Sequence, residues 1–366
     1  MNILLLRTGT FSNLNHFLFE ALSRSHNVTY NVDAGKVLKM KSLQFSSWHN
    51  IFHSMIHYKK HWRQHFSKNT CAFSTMTRYC NRYVRSRTDY DIIFQTQCKF
   101  GITENPYSRP YFIYTDLTQK LTDRIWHKWA LNGSSSENSK WYRLETEAFQ
   151  RAEKIFTFNE RVKASLIEDY QINPEKSLVV GSGINFDTCR AIDFKQKYNH
   201  GFILFFLTTD FERQGGDTVL KCYDIIKQTI PDLRLIIGGN CPKFRQEGIE
   251  LHKNLTSEII EQFLNKTIIF LMPGIIGGLQ SVLQAMSRSC VCMVGDQNLM
   301  LAEVIKNKET GIVIPTNNAV VLAESVIELY KDDSLMQKIA TQASHFVNNH
   351  CTWNHVVSKM TPYFNS

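Results

Sequence analysis

Between Asp33 and Asp89 the chain has no acidic residue, yet the same stretch holds eleven Lys or Arg. A segment with cations and no anions suits an anionic partner: lipid head groups, a phosphate-bearing acceptor or nucleic acid. The stretch also lacks any recognised nucleic-acid motif, so nucleic acid is not expected. No run of about eighteen apolar residues occurs, so no transmembrane helix is expected. Met1–Arg7 lacks a basic n-region and is too short for a signal h-region, and it reads as a first buried strand. The nine cysteines lack both zinc-site and disulfide spacing, and their number is odd. Several sit inside apolar runs, where Cys behaves as a small hydrophobe, and a reducing, cytoplasmic compartment is expected. Internal repeats and low-complexity segments are also missing.

What is present is an ordinary folded composition. At 366 residues, 43% hydrophobic and 20% charged, the chain is long enough for two domains. Strands are expected at 3–6, 28–32, 91–94, 111–114, 154–158 and 178–180, with helices at 13–24, 139–152 and 160–170. The pattern restarts with strands at 202–207 and 233–237 around a helix at 216–228. It ends in helices at 318–331, 334–349 and 353–360. Alternating short strands and helices argue for parallel sheets covered on both faces. The fold class is α/β, with two Rossmann-like doubly wound domains, 1–185 and 186–346, joined within the polar stretch 185–200. A ligand is expected in the cleft between them, outside the carboxyl ends of the strands.

The densest signal runs from Thr267 to Pro315: strand, Pro-Gly corner, helix, strand, a second helix at Ala302–Ile305, strand. Gly277 and Gly278 open the helix Leu279–Met286, and two glycines at such a corner leave backbone N–H groups bare to bind phosphate. Phe211-Glu-Arg-Gln-Gly-Gly-Asp217 follows another strand. Its plain reading is a helix entry with a glycine turn and Asp217 as a first-turn acid. Gly181-Ser-Gly-Ile-Asn185 is a turn after an apolar strand. Asp116 ends a strand, where an acid faces a ligand, and it could equally be the N-cap of the helix that follows.

These motifs together resemble a GT-B glycosyltransferase of the GT4-like type, the group 1 glycosyl transferases. The matching pieces are Pro273, Gly277, Gly278, Gln284-Ala285-Met286, Val291, Glu303-Val304-Ile305 and Thr310-Gly311. The family has two glutamates eight residues apart; Ile276 and Gln284 hold those positions here, so the motif is degenerate. Gln284 can still hydrogen-bond a ribose hydroxyl. The resemblance implies that Arg213 contacts the donor diphosphate, with Gln214 at the family's lysine position and Thr208 or Thr209 at its second arginine. Gly9 matches the family's N-terminal glycine loop, and Asp116 lies near its acceptor-side polar groups, a candidate to take the acceptor's proton. The implied function is hexose transfer, with retention, from a nucleotide diphosphate sugar to a glycan or lipid-linked acceptor hydroxyl. No cofactor or metal is implied. The first domain would take the acceptor and the second the nucleotide sugar, with residues 347–366 returning to the first. The replaced charges leave a second reading open, a catalytically degenerate partner subunit that binds a glycan.

In the basic segment, Trp48, Ile51, Phe52, Met55, Trp62 and Phe66 share one helical face, and His49, His53, His57, His61 and His65 recur on the opposite one. Such a helix fits an anionic membrane surface, engaged through residues 36–88 at the inner face of the membrane. Packing of the apolar face into the core fits equally well. Histidines at i,i+4 can bind metal, but without carboxylate or Cys partners in the segment the ligand set is incomplete.

Overall fold

A computed structural model of the protein describes residues 1–11, 13–38, 45–186 and 192–365. It forms two compact units, Met1–Gly183 with Trp353–Ser366, and Ile184–Thr352. The expected linker 185–200 lies partly outside the described residues, as do Lys39 and Lys41 of the basic segment.

The first unit is built on a parallel sheet of order β2-β1-β3-β4-β5-β6. Its strands are β1 (Asn2–Arg7), β2 (Asn27–Asp33), β3 (Ile92–Thr96), β4 (Tyr111–Thr115), β5 (Lys154–Thr157) and β6 (Ser177–Val179). Its helices are α1 (Leu14–Ser25), α2 (Phe45–Tyr58), α3 (Thr70–Ser86), α4 (Gln119–Ile125), α5 (Ser135–Arg151), α6 (Glu160–Tyr170) and, from the chain's end, α13 (Trp353–Met360). Every residue of β3 and β4 is buried, which explains their continuous apolar runs without a polar face. Phe364, beyond α13, packs against Phe94, Phe112 and Phe156 on the sheet.

The second unit repeats the plan, with sheet order β12-β11-β10-β7-β8-β9. Its strands are β7 (Ile203–Thr208), β8 (Arg234–Gly239), β9 (Ile249–His252), β10 (Ile269–Met272), β11 (Val291–Gly295) and β12 (Ile312–Ile314). Its helices are α7 (Phe194–Lys197), α8 (Gly216–Lys227), α9 (Ser257–Lys266), α10 (Leu279–Ser287), α11 (Ala319–Lys331) and α12 (Asp333–His350).

Several expectations are corrected. Edge strand β9 and the helix α9, capped by Thr256, add to the expected elements, and Ile259, Ile260, Phe263 and Leu264 give α9 an apolar face at helical spacing. The helix expected at Ala302–Ile305 is a set of turns. Thr310 Oγ1 accepts the Lys306 N–H (2.9 Å) and donates to Val304 O (2.8 Å), closing the segment before a helix can extend. The histidine helix ends at Tyr58, because Lys59 takes a left-handed φ of 47°. Trp62, Phe66, His61 and His65 therefore lie beyond α2. Helix α5 starts four residues ahead of the expected 139, because Ser134 caps it by accepting the Glu137 N–H.

One buried acid makes the first unit's stability depend on pH. Gln119 N–H reaches both oxygens of Glu145 (3.1 and 3.3 Å), and the Tyr170 hydroxyl bonds the same carboxyl. Burial pushes Glu145 up to about 8, against the pull of those bonds and of Lys68. Because the folded value lies above the unfolded one, the contribution is complete at low pH and is lost as pH rises toward about 8. Glu145→Gln is expected to flatten this dependence, changing stability relative to the parent by up to about 1.4 kcal/mol per pH unit. Urea unfolding of both chains on either side of neutrality checks it; parallel pH profiles would contradict it.

Candidate functional site

In the second unit the chain runs outward from β7 to β9 on one side of the sheet and from β10 to β12 on the other. Strands β7 and β10 are thus the neighbours at which the order reverses, the position outside whose carboxyl ends open α/β sheets bind ligands. Those loops are the two glycine corners. They pack so closely that a Cβ on Gly274 would lie 2.3 Å from Arg213 O, while Ile275 N–H bonds that same carbonyl (3.2 Å).

Arg213 fastens the corners together. Its Nη1 donates to Ile276 O (2.7 Å) and lies where a Cβ on Gly277 would come to 2.2 Å of it. Asp210 holds it from the other side, accepting the Arg213 N–H (3.2 Å) and Nε–H (3.4 Å). Gly277 and Gly278 have φ of 100° and 77°, the left-handed region that disfavours a side chain. Gly278 caps α10, and Gly277 through Ser281 are all half-exposed. The first-turn amides of α10 are accessible at this corner, an arrangement that attracts an anion, and the Arg213 guanidinium lies buried beside them, 6% exposed, on Ile276 O.

The neighbouring candidates are held differently. Gln214 Oε1 accepts from Thr208 Oγ1 (2.8 Å), Thr209 N–H (2.9 Å) and Asp210 N–H (3.2 Å). Both Thr208 and Gln214 are buried, so they shape the β7–α8 loop from inside. Ile276 is buried as well. Gln284 Nε2 donates to Asn185 O (3.2 Å), and Gln280 Oε1 one turn earlier accepts the Asn185 N–H (3.0 Å). Asn298 was not singled out from the sequence. It is buried after β11, and its Nδ2 holds Gly277 O (3.0 Å). Its Oδ1 has no partner. An isolated Asn past a strand end carries no motif, so only the fold brings it to the corner.

In the first unit the order reverses between β1 and β3, and the Gly9 loop follows β1. Gly9 has φ 61° and is exposed, with nothing near the position of an added Cβ. Asp33 accepts its N–H (3.1 Å), while Arg7 Nη1 (2.6 Å) and Asn15 Nδ2 (3.1 Å) donate to its carbonyl. Asp116 follows β4. It is not the helix cap: Thr118 Oγ1 accepts the Leu121 N–H of α4. Burial pushes the Asp116 carboxyl up to about 6, opposed by the Lys99 charge. Helix α2 turns out to be inverted. Asn50 and Ser54 are fully buried beneath it, whereas Trp48, Phe52, Met55 and Ile56 are exposed at 56%, 61%, 47% and 69%. Core packing of the whole apolar stripe is therefore excluded.

Residues 190–346 match the family model for glycosyl transferases group 1. The match spans both glycine corners, Asn298 and Gln284. The chain has the GT-B fold, and the match to the group 1 glycosyl transferase model covers most of its second unit. Solved structures resemble the whole chain. Sucrose-phosphate synthase from Thermosynechococcus elongatus aligns with TM-score 0.69 at 11% identity, covering 100% of this chain and 98% of that one. Anabaena HepE in complex with UDP aligns at 0.66 and 12%, covering both chains fully. WaaG, a glycosyltransferase involved in lipopolysaccharide biosynthesis, aligns at 0.64 and 11%, covering 99% of each. No curated protein matches in sequence. Among the described residues of this GT-B protein, no helix is long and apolar enough to cross a membrane.

Proposed function

We propose that the chain is a glycosyltransferase that moves a hexose from a nucleotide diphosphate sugar to a glycan or lipid-linked acceptor hydroxyl, with retention. The observation that carries this reading is the pairing of Arg213 with the Gly277–Gly278 corner at the strand-order reversal. The diphosphate is the leaving group and gains negative charge, which fixed amides and a guanidinium stabilise. Gln284 Oε1 is positioned on α10 to accept a ribose hydroxyl, and Asp116 takes the acceptor's proton. HepE was crystallised with UDP and with UDP-glucose, so a uridine donor is the first to test. Incubating the chain with UDP, GDP and ADP sugars, with calorimetry and free-nucleotide release as readouts, decides the matter. Binding with slow release supports transfer.

The burial of Ile276, where the resemblance implies a glutamate, favours one second reading: a catalytically silent partner subunit. Tight nucleotide binding without any release, with an acceptor mixture present, would select it.

The exposed α2 face, with Lys59 and Arg63 exposed at its end, fits an anionic lipid surface on which a lipid-linked acceptor lies. The chain is expected to float with phosphatidylglycerol vesicles and not with phosphatidylcholine. The triple variant Trp48→Ser, Phe52→Ser, Ile56→Ser is expected to lose flotation while keeping its melting temperature. Equal flotation of parent and variant would contradict the assignment.

A further inference from the structure

Behind the exposed face of α2 lies a group of side chains that sugar transfer does not use. His53 and His57, one turn apart on α2, each place a ring nitrogen within 4.8 Å of a Glu137 carboxylate oxygen and of each other. Their rings sit 4.4 Å apart. Glu137 belongs to the first turn of α5, so three donors from two helices converge. We propose that His53, His57 and Glu137 bind a divalent cation of the zinc class, clamping α2 to α5.

The donor set has the right chemistry. Two imidazoles and one carboxylate suit zinc, which takes nitrogen at about 2.0 Å and carboxylate oxygen at about 2.1 Å. Tetrahedral coordination at those lengths separates ligand atoms by about 3.3 Å. His53 Nε2 and Glu137 Oε1 are already 3.0 Å apart, and a His57 ring nitrogen lies within 4.8 Å of both.

Outer partners hold the ligands in place, as real metal sites require. Glu137 is 2% exposed. Its Oε1 accepts the Thr70 N–H (2.7 Å) and its Oε2 the Thr70 hydroxyl (2.9 Å). Ser134 Oγ lies 3.0 Å from His57 Nδ1 and accepts the Glu137 N–H. The two Thr70 hydrogen bonds fix the Glu137 carboxylate against the start of α3.

A cavity of about 250 Å³ reaches His53, with His49, Cys71 and Ser74 in its wall together with the cationic Arg78 and Lys140. The carboxylate completing the set lies about eighty residues from the histidines, which is why the histidine spacing alone could not reveal it.

The test uses tag-free full-length chain stripped with a chelator. Calorimetry with ZnCl2 is expected to show one equivalent bound, and CoCl2 to give the visible absorption bands of a tetrahedral site. His57→Gln and Glu137→Gln are expected to weaken binding by more than about 100-fold and to abolish those bands. His61→Gln, on an exposed residue outside the cluster, leaves them intact. His57 is half-exposed, so its variant keeps the fold, as an unchanged far-ultraviolet spectrum shows. The absence of bands in the parent chain would overturn the proposal, as would bands that survive His57→Gln.

Discussion

Arg213→Ala lowers kcat/KM for nucleotide-sugar turnover by about 10²–10³-fold, the size seen when one fixed donor to a developing anion is removed. The guanidinium sits where three constraints meet: the Ile276 carbonyl at 2.7 Å, Asp210, and the Cβ-free space of Gly277. Arg213→Lys keeps the charge but loses the planar fork, so it is expected to recover only part of the loss. Because Arg213 also ties two loops together, the variants need a control. The melting temperature without nucleotide reports the structural role, and the shift on adding nucleoside diphosphate reports the binding role. If Arg213→Ala melts lower yet keeps its nucleotide-induced shift, the residue is a strut and not a ligand.

Asp116→Asn is expected to reduce kcat by about 10²–10⁴-fold with little change in donor affinity, since it acts on the acceptor's proton. Thr118 caps α4, so the variant is expected to fold normally. Burial holds the parent carboxyl at about 6. A base must be ionised to work, so parent activity rises with pH through about 6 and is lost below it. A variant with full activity, or a parent profile flat across that range, would remove Asp116 from the reaction.

The sequence exposed the architecture because parallel strands buried on both faces write themselves as unbroken apolar runs. Phe94, Phe112 and Phe156 sit inside three such runs and stack in one core. The glycine corners were legible for a related reason: the left-handed φ values found at 277 and 278 favour glycine. What stayed hidden depends on distant pairing. Nothing near Gln214 shows that its amide closes a loop, and nothing near Asn298 shows that it reaches Gly277. Periodicity left two readings of α2 open. Its apolar stripe was plain, but which face meets the protein depends on Glu137 and Thr70, which draw the polar side inward. The break at Lys59 is a backbone choice that no side-chain pattern announces.

A crystal structure of the chain with a bound nucleoside diphosphate tests the central assignment most directly. The account predicts the pyrophosphate within hydrogen-bond distance of the Arg213 guanidinium and of the backbone amides that open α10 at Gly278. A pyrophosphate bound elsewhere, with Arg213 still on the Ile276 carbonyl and the corner untouched, would contradict it.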